Sequence, residues 1–267
     1  MMSLASDCSL LIVGGGRMGE ALLAGLRAAG RPANELVVVE AAAARRQELE
    51  TAHPEVTIAE QVTPCAGAVL AVKPGDVPSA ARAVAQAGVR RVLSVAAGVT
   101  TATIEAAAGQ SVAVVRAMPN TPALIGAGAA AISPGSQAGE EDMAWAAAIL
   151  GAVGVVVQVP EIALDAVTGL SGSGPAYLFL VAEAMVDAGV LAGLARDVAE
   201  TLTFQTLLGS SRLLIDGGST PAALRAAVTS PGGTTAAGVR ELERRGVRAA
   251  FLDAVAAAAE RSRELGQ

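Results

Sequence analysis

The chain has 267 residues, a net charge of −6, 52% hydrophobic residues and only 2% aromatic ones. That length admits one large α/β domain or two domains, with a core of Ala, Val and Leu. The acidic balance excludes a nucleic-acid binder that neutralises phosphates with a basic face, and two cysteines, Cys8 and Cys65, exclude a disulfide framework or a metal cluster.

The cysteines read as small buried apolar residues, and the cytoplasm is the default compartment. The longest apolar run, 143–157, is shorter than the roughly 18 residues needed to span a bilayer. Gly151 and Gly154 also divide it. No basic region precedes the first apolar stretch, so no signal peptide is expected. At 16% charged residues the chain should hide apolar surface in an oligomer interface.

In chain order, a strand is expected over 10–13, then a helix over 18–29. Further strands are expected over 36–39, 56–58, 68–72, 92–95, 112–115, 128–132 and 155–159, with a helix over 42–51. Alternating strands and Ala-rich stretches imply parallel pairing. After Pro160 no strand is expected. Ala/Leu segments over 161–170, 175–188, 196–214, 221–228, 235–245 and 247–265 read as helices, with Ser171-Gly172-Ser173-Gly174-Pro175 as a break. The expectation is an α/β dinucleotide-binding domain over 1–160 and an all-α domain over 161–267.

Gly14-Gly15-Gly16-Arg17-Met18-Gly19 follows a strand and opens a helix, the context that gives G-x-G-x-x-G its weight. Gly14 permits the turn, Gly16 lets a pyrophosphate approach, and Gly19 allows close helix–strand packing. The N–H groups of Arg17 and Met18 at the helix start would hold phosphates. Glu40 ends the second strand, where a carboxylate accepts from ribose hydroxyls and repels a 2′-phosphate, favouring NADH over NADPH. Arg45 and Arg46 nearby could offset that repulsion. Ala71-Val72-Lys73-Pro74 ends the fourth strand, and the nineteen basic residues are all arginine except Lys73. Ala96-Ala97-Gly98 leaves room for a nicotinamide ring.

Ser230-Pro231-Gly232-Gly233-Thr234-Thr235 opens a helix. Its glycines and threonines suit either a carboxylate pocket at the positive helix end or ordinary capping by Ser230 or Thr234. The usual acid/base devices of an alcohol dehydrogenase are missing. His53 is the only histidine, Tyr177 the only tyrosine, and the second half has no lysine. An iminium carbon accepts hydride without such a group.

These pieces, together with Arg116-Ala117-Met118-Pro119-Asn120-Thr121-Pro122 and Val228-Thr229 before the Ser230 loop, resemble pyrroline-5-carboxylate reductase over essentially the whole chain. The resemblance implies a Rossmann domain and a helical domain that interlocks with its twin in a dimer, some dimers assembling into decamers. It implies reduction of 1-pyrroline-5-carboxylate to L-proline with NADPH or NADH, with no metal. Ser230, Gly232, Gly233, Thr234 and Thr235 would hold the substrate, Thr235 at the ring nitrogen. Ala71, Val72, Lys73, Pro74, Ala96, Ala97, Gly98 and Asn120 would lie on the coenzyme side, with Lys73 and Thr235 in the catalytic set. Glu40 stands where that family frequently has a small polar residue. A reductase of a related imine, a β-hydroxyacid-type dehydrogenase, and a nucleotide sensor without turnover are the alternatives.

Overall fold

The structure, a computed structural model, describes residues 8–266. Among them one eight-stranded sheet runs in the order β3-β2-β1-β4-β5-β6-β7-β8. The strands are β1 Leu10–Val13, β2 Leu36–Val39, β3 Thr57–Ala59, β4 Gly67–Leu70, β5 Arg91–Ser94, β6 Ala113–Met118, β7 Gly128–Pro134 and β8 Gly154–Gln158. The helices beside them are α1 Arg17–Ala28, α2 Ala43–Ala52, α3 Val77–Gln86, α4 Thr101–Ala108 and α5 Glu140–Gly151.

The sheet is covered on both faces, which is why its central strands read as unbroken aliphatic runs. Leu10 and Ile12 pack in one layer with Leu22 and Leu26 of α1, Leu49 of α2 and Ile149 of α5. Leu11 and Val13 point the other way, to Val77 and Val84 of α3 and Ile104 of α4. The period of two along β1 thus sorts its side chains into two cores.

Pairing is parallel from β3 to β6, but β7 runs antiparallel to β6. This corrects the all-parallel expectation. Only a 3-10 turn, Thr121–Ile125, joins β6 to β7, too little chain for the crossover a parallel partner needs. Helix α5 supplies one after β7, and β8 is parallel to β7.

The cysteines also depart from expectation. Cys8 and Cys65 are bonded to one another, with their Cα atoms 5.2 Å apart, and both are half-buried rather than core residues. Cys8 precedes β1 and Cys65 precedes β4, and those strands are neighbours. Two cysteines make no framework, but they suffice for one staple.

Two compact units emerge. One runs to Ser173 and takes back the chain from Ala256; the other is Gly174–Val255. The boundary falls inside the Ser171–Pro175 segment, where a helix begins at Gly174 with Pro175 in its first turn, as expected. After α6, Leu164–Val167, a wide turn closes with Ser173 N–H donating to Thr168 O at 2.8 Å. Pro175 has no N–H to give the Ser171 carbonyl, and the Asn120 amide donates to that carbonyl instead at 3.1 Å. Helical structure therefore extends over Glu161–Leu191, long and apolar enough by length and composition to cross a membrane, although strictly apolar runs in the sequence are shorter.

The second unit holds α7 Gly174–Leu191, α8 Arg196–Asp216, α9 Pro221–Ala227, α10 Thr234–Arg244 and the first part of α11, Val247–Leu265. Its helices bury little. Only Ala182 and Val186 of α7 and Ala199 and Thr203 of α8 are buried, while Leu178, Phe179, Leu180, Leu202 and Phe204 are exposed.

Glu161 braces the sheet unit. Its carboxylate accepts from the Thr101 N–H and hydroxyl, each at 2.7 Å, and from the Arg116 guanidinium at 3.1 Å. Burial by itself would raise this carboxyl, but the Thr101 bonds and Arg116 together hold it below its ordinary range. A depressed folded value stabilises the fold fully above about pH 4.3, and the contribution is lost as pH falls through the lowered value. Glu161→Gln should therefore cost about 1.5–3 kcal/mol at pH 7, a gap that narrows below pH 4 in urea unfolding. A gap of equal size at both pH values would refute the ionic role.

Candidate active site

The strand order reverses direction between β1 and β4, and in such sheets ligands bind beyond the carboxyl ends at that switch. Four expected segments stand in one row there: Glu40 after β2, the glycine turn after β1, Ala71–Pro74 after β4 and Ala96–Gly98 after β5. Three strand spacings of about 4.8 Å separate the ends of that row, about 14 Å in all.

The glycine turn is built by backbone contact. Gly14 has φ +104°, and its N–H donates to Val39 O at 2.8 Å. A Cβ there would lie 2.5 Å from Ala71 O, and one at Gly19 would collide with Gly14 O. At Gly16 a Cβ would meet nothing within 4 Å. Gly16 caps α1, so the N–H groups of Arg17, Met18 and Gly19 have no acceptor within the helix. The first and last glycines serve packing, and the open middle one leaves the helix start accessible to an anion.

At the β2 end both oxygens of Glu40 are engaged, Oε2 by Gly15 N–H and Oε1 by Ala42 N–H, each at 2.9 Å. Glu40 is thus a strut of the turn as well as a carboxylate at the β2 end of the row. Arg45 donates to Gly15 O at 2.8 Å and pairs with Glu20 and Glu48. Arg46 donates to the main-chain carbonyls of Glu40 and Ala41. Both guanidiniums therefore hold the turn in shape, which their sequence position does not reveal.

Lys73 is exposed after β4 and opens the 3-10 turn Pro74–Asp76. Ala96 and Gly98 are buried and Ala97 half-buried after β5. Asn120 does something the sequence did not indicate. Its oxygen accepts from Ala129 N–H at 2.9 Å while its amide serves Ser171 O. With both ends of the side chain on backbone, Asn120 is a brace between β7 and the wide turn.

In the helical unit, Gly233 caps α10 and Gly232 has φ +71°. Gly233 N–H donates to Ser230 O at 3.0 Å, and a Cβ on Gly233 would collide with Ser230 Oγ. Neither Ser230 nor Thr234 supplies a side-chain cap to this helix, so the capping alternative loses ground. Ser230, Gly232 and Thr234 are exposed and Thr235 half-buried. Tyr177 turns its hydroxyl to Ala254 O at 3.5 Å, and His53 sits at the end of α2 beside Glu20.

A reductase from Mycobacterium tuberculosis, pyrroline-5-carboxylate reductase by name, is 44% identical over 96% of this chain and 96% of its own. The chain belongs to the pyrroline-5-carboxylate reductase family. The family model for pyrroline-5-carboxylate reductase dimerisation matches residues 161–265, and the model described as NADP oxidoreductase coenzyme F420-dependent matches 9–98. Among solved structures, the pyrroline-5-carboxylate reductase of Coxiella burnetii aligns with a TM-score of 0.91 at 33% identity, covering 98% of this chain and 100% of that one. The Plasmodium falciparum enzyme, solved with NADP bound, aligns with a TM-score of 0.84 at 27% identity over 98% of this chain and 100% of its own.

In a pyrroline-5-carboxylate reductase built this way, two of the turn glycines, Gly16 and Gly19, should fail differently. Gly16→Ala should leave stability within about 0.5 kcal/mol yet weaken coenzyme binding at least about tenfold, or 1.4 kcal/mol. Gly19→Ala should lower stability itself by about 1–3 kcal/mol through overpacking. Thermal unfolding and fluorescence titration separate the two; unchanged coenzyme affinity in Gly16→Ala would show that no phosphate approaches there.

Proposed function

We infer that the chain transfers hydride from NADPH or NADH to the C=N carbon of 1-pyrroline-5-carboxylate, giving L-proline and the oxidised coenzyme. Family membership supports the reaction, and one observation carries the chemistry. The start of α10 presents backbone N–H groups beside exposed hydroxyls, with no histidine, lysine or free tyrosine hydroxyl in that unit to act as acid or base. A protonated imine needs none. Hydride forms a C–H bond at the iminium carbon, the C=N π bond breaks with its electron pair moving onto the protonated nitrogen, and a secondary amine results.

The protein's share is positioning and charge complementarity. The N–H groups of Thr234 and Thr235, with Ser230 and the side-chain-free backbone at Gly232 and Gly233, hold the carboxylate at the positive end of α10. The Thr235 hydroxyl accepts from the ring N–H. Gly14, Gly16, Arg17, Met18 and Gly19 take the pyrophosphate. Ala71, Val72, Lys73, Pro74 and Ala96 to Gly98 line the nicotinamide end, with the Lys73 ammonium supplying positive charge. The coenzyme supplies the hydride.

The exposed leucines and phenylalanines of α7 and α8 are best covered by a second copy of the chain, in keeping with the dimerisation family model over that region. A homodimer accounts for the apolar run Glu161–Leu191 without a membrane, and a decamer is the further assembly that the resemblance implies. A soluble substrate and coenzyme support the reading of a cytoplasmic enzyme.

Thr235→Ala should lower kcat at least about tenfold while coenzyme affinity stays within twofold. Equal loss of both would make Thr235 a structural residue, and a wild-type chain without imine-dependent NAD(P)H oxidation would remove the function altogether. Glu40 sets coenzyme choice by repelling a 2′-phosphate. Glu40→Ser should raise the NADPH-to-NADH ratio of kcat/KM about tenfold, roughly 1.4 kcal/mol of relieved repulsion. An unchanged ratio would mean that Glu40 only braces the turn.

A further inference from the structure

We propose that the end of α11 positions the nicotinamide end of the coenzyme by backing the Ala96–Gly98 turn from behind, a role that rests on the reading of that turn given above. From Ala256 onward the chain belongs to the same compact unit as the sheet, and two contacts one helical turn apart fix it there. The Ser262 hydroxyl is buried and donates to Asp165 Oδ1 at 2.6 Å. Then the backbone of 265–266 meets Gly98. A Cβ on Gly98 would lie 3.4 Å from the Leu265 main chain, and a Cβ on Gly266 would lie 2.6 Å from Gly98 O.

Gly98 has φ +77°, a conformation that side-chain-bearing residues rarely adopt. Other anchors hold the segment on either side. Val95 N–H donates to Leu70 O, and Thr101 is held by Glu161. Between those anchors Ala97 and Gly98 carry no side chain large enough to lock themselves. The tail is the wall that sets their depth. Small residues make room for a flat ring, but they also let the turn shift, and a displacement of about 1 Å at a reacting centre can cost about a hundredfold in rate. A backbone-on-backbone contact between two glycines limits that shift more closely than flexible side chains would.

Three variants of the full-length enzyme test this: Gly266→Val, Ser262→Ala and, as the conservative control, Ser262→Thr. Two ligands report on each, NADH and ADP-ribose, which is the same dinucleotide without its nicotinamide. For Gly266→Val and Ser262→Ala we expect kcat/KM for NADH to fall at least about tenfold. ADP-ribose affinity should stay within twofold, and Ser262→Thr should keep most of the activity. Wild-type kinetics in both disruptive variants would overturn the proposal, as would parallel loss of ADP-ribose binding, which marks a general role in the fold. A wild-type enzyme that binds NADH but never oxidises it with the imine would instead overturn the function, a result the variants do not produce.

Discussion

Everything at the carboxyl ends of the central strands depends on one close approach: the first turn of α1 is pressed against the ends of β1 and β4 with no side chain between them. A Cβ at Gly19 has no room beside Gly14 O, and one at Gly14 has none beside Ala71 O. The far part of the helix is held the same way, because a Cβ at Gly25 would collide with Val153. A helix pinned at both ends cannot rotate its free N–H groups away from the strand row. Its dipole then points a fixed partial positive charge at one place. Glu40, Arg45 and Arg46 add polar struts to this frame, but the helix position itself is set by the missing Cβ atoms.

The same reliance on small residues has a different outcome in the two units. In the sheet unit, aliphatic strands and Ala-rich helices fill two cores, and the large residues Leu10, Leu22, Leu36, Leu93 and Ile104 are fully buried. In the helical unit, alanines and glycines let α7 and α8 lie close, yet few apolar side chains end up inside. A unit that buries so little by itself draws its stability from association, so its folding is linked to protomer concentration.

Legibility followed the locality of the cause. Strands β1 and β2 have the bounds expected because a short aliphatic run bounded by polar residues or glycine carries its own ends. Helices α3 and α4 were not assigned, since Pro78 and a short Ala/Thr segment blur the period. Strand direction at β7 was not legible, because alternation is silent about whether a short link crosses the sheet. At Ser171–Pro175 the sequence marks the interruption and the helix start at Pro175, but not how the interruption is closed: the carbonyl orphaned by Pro175 is served by Asn120, far away in sequence. The glycine turn and the Ser230–Thr235 loop were visible as motifs. The roles of Gly14, Gly16 and Gly19 were in the motif, but the partner that Gly14 meets, Ala71 O after β4, needed coordinates, as did the contact between Gly98 and Gly266.

The bond between Cys8 and Cys65 fits the same frame. Leu10 of β1 pairs with Gly67 of β4, and the cysteines stand two residues before each, so they continue the ladder without a shift of register. Their Cα separation of 5.2 Å is what neighbouring strands provide. Proximity therefore comes from the sheet, and the bond adds its effect in the unfolded chain, where closing such a loop removes roughly 3–5 kcal/mol of conformational freedom. In a reducing cytoplasm the thiols would remain side by side and the register unchanged. The pair of strands at the switch point is thus tied at one end by sulfur and at the other by the Gly14–Ala71 contact. Only the second tie shapes the turn that opens α1, because it alone lies at the carboxyl ends of the strands.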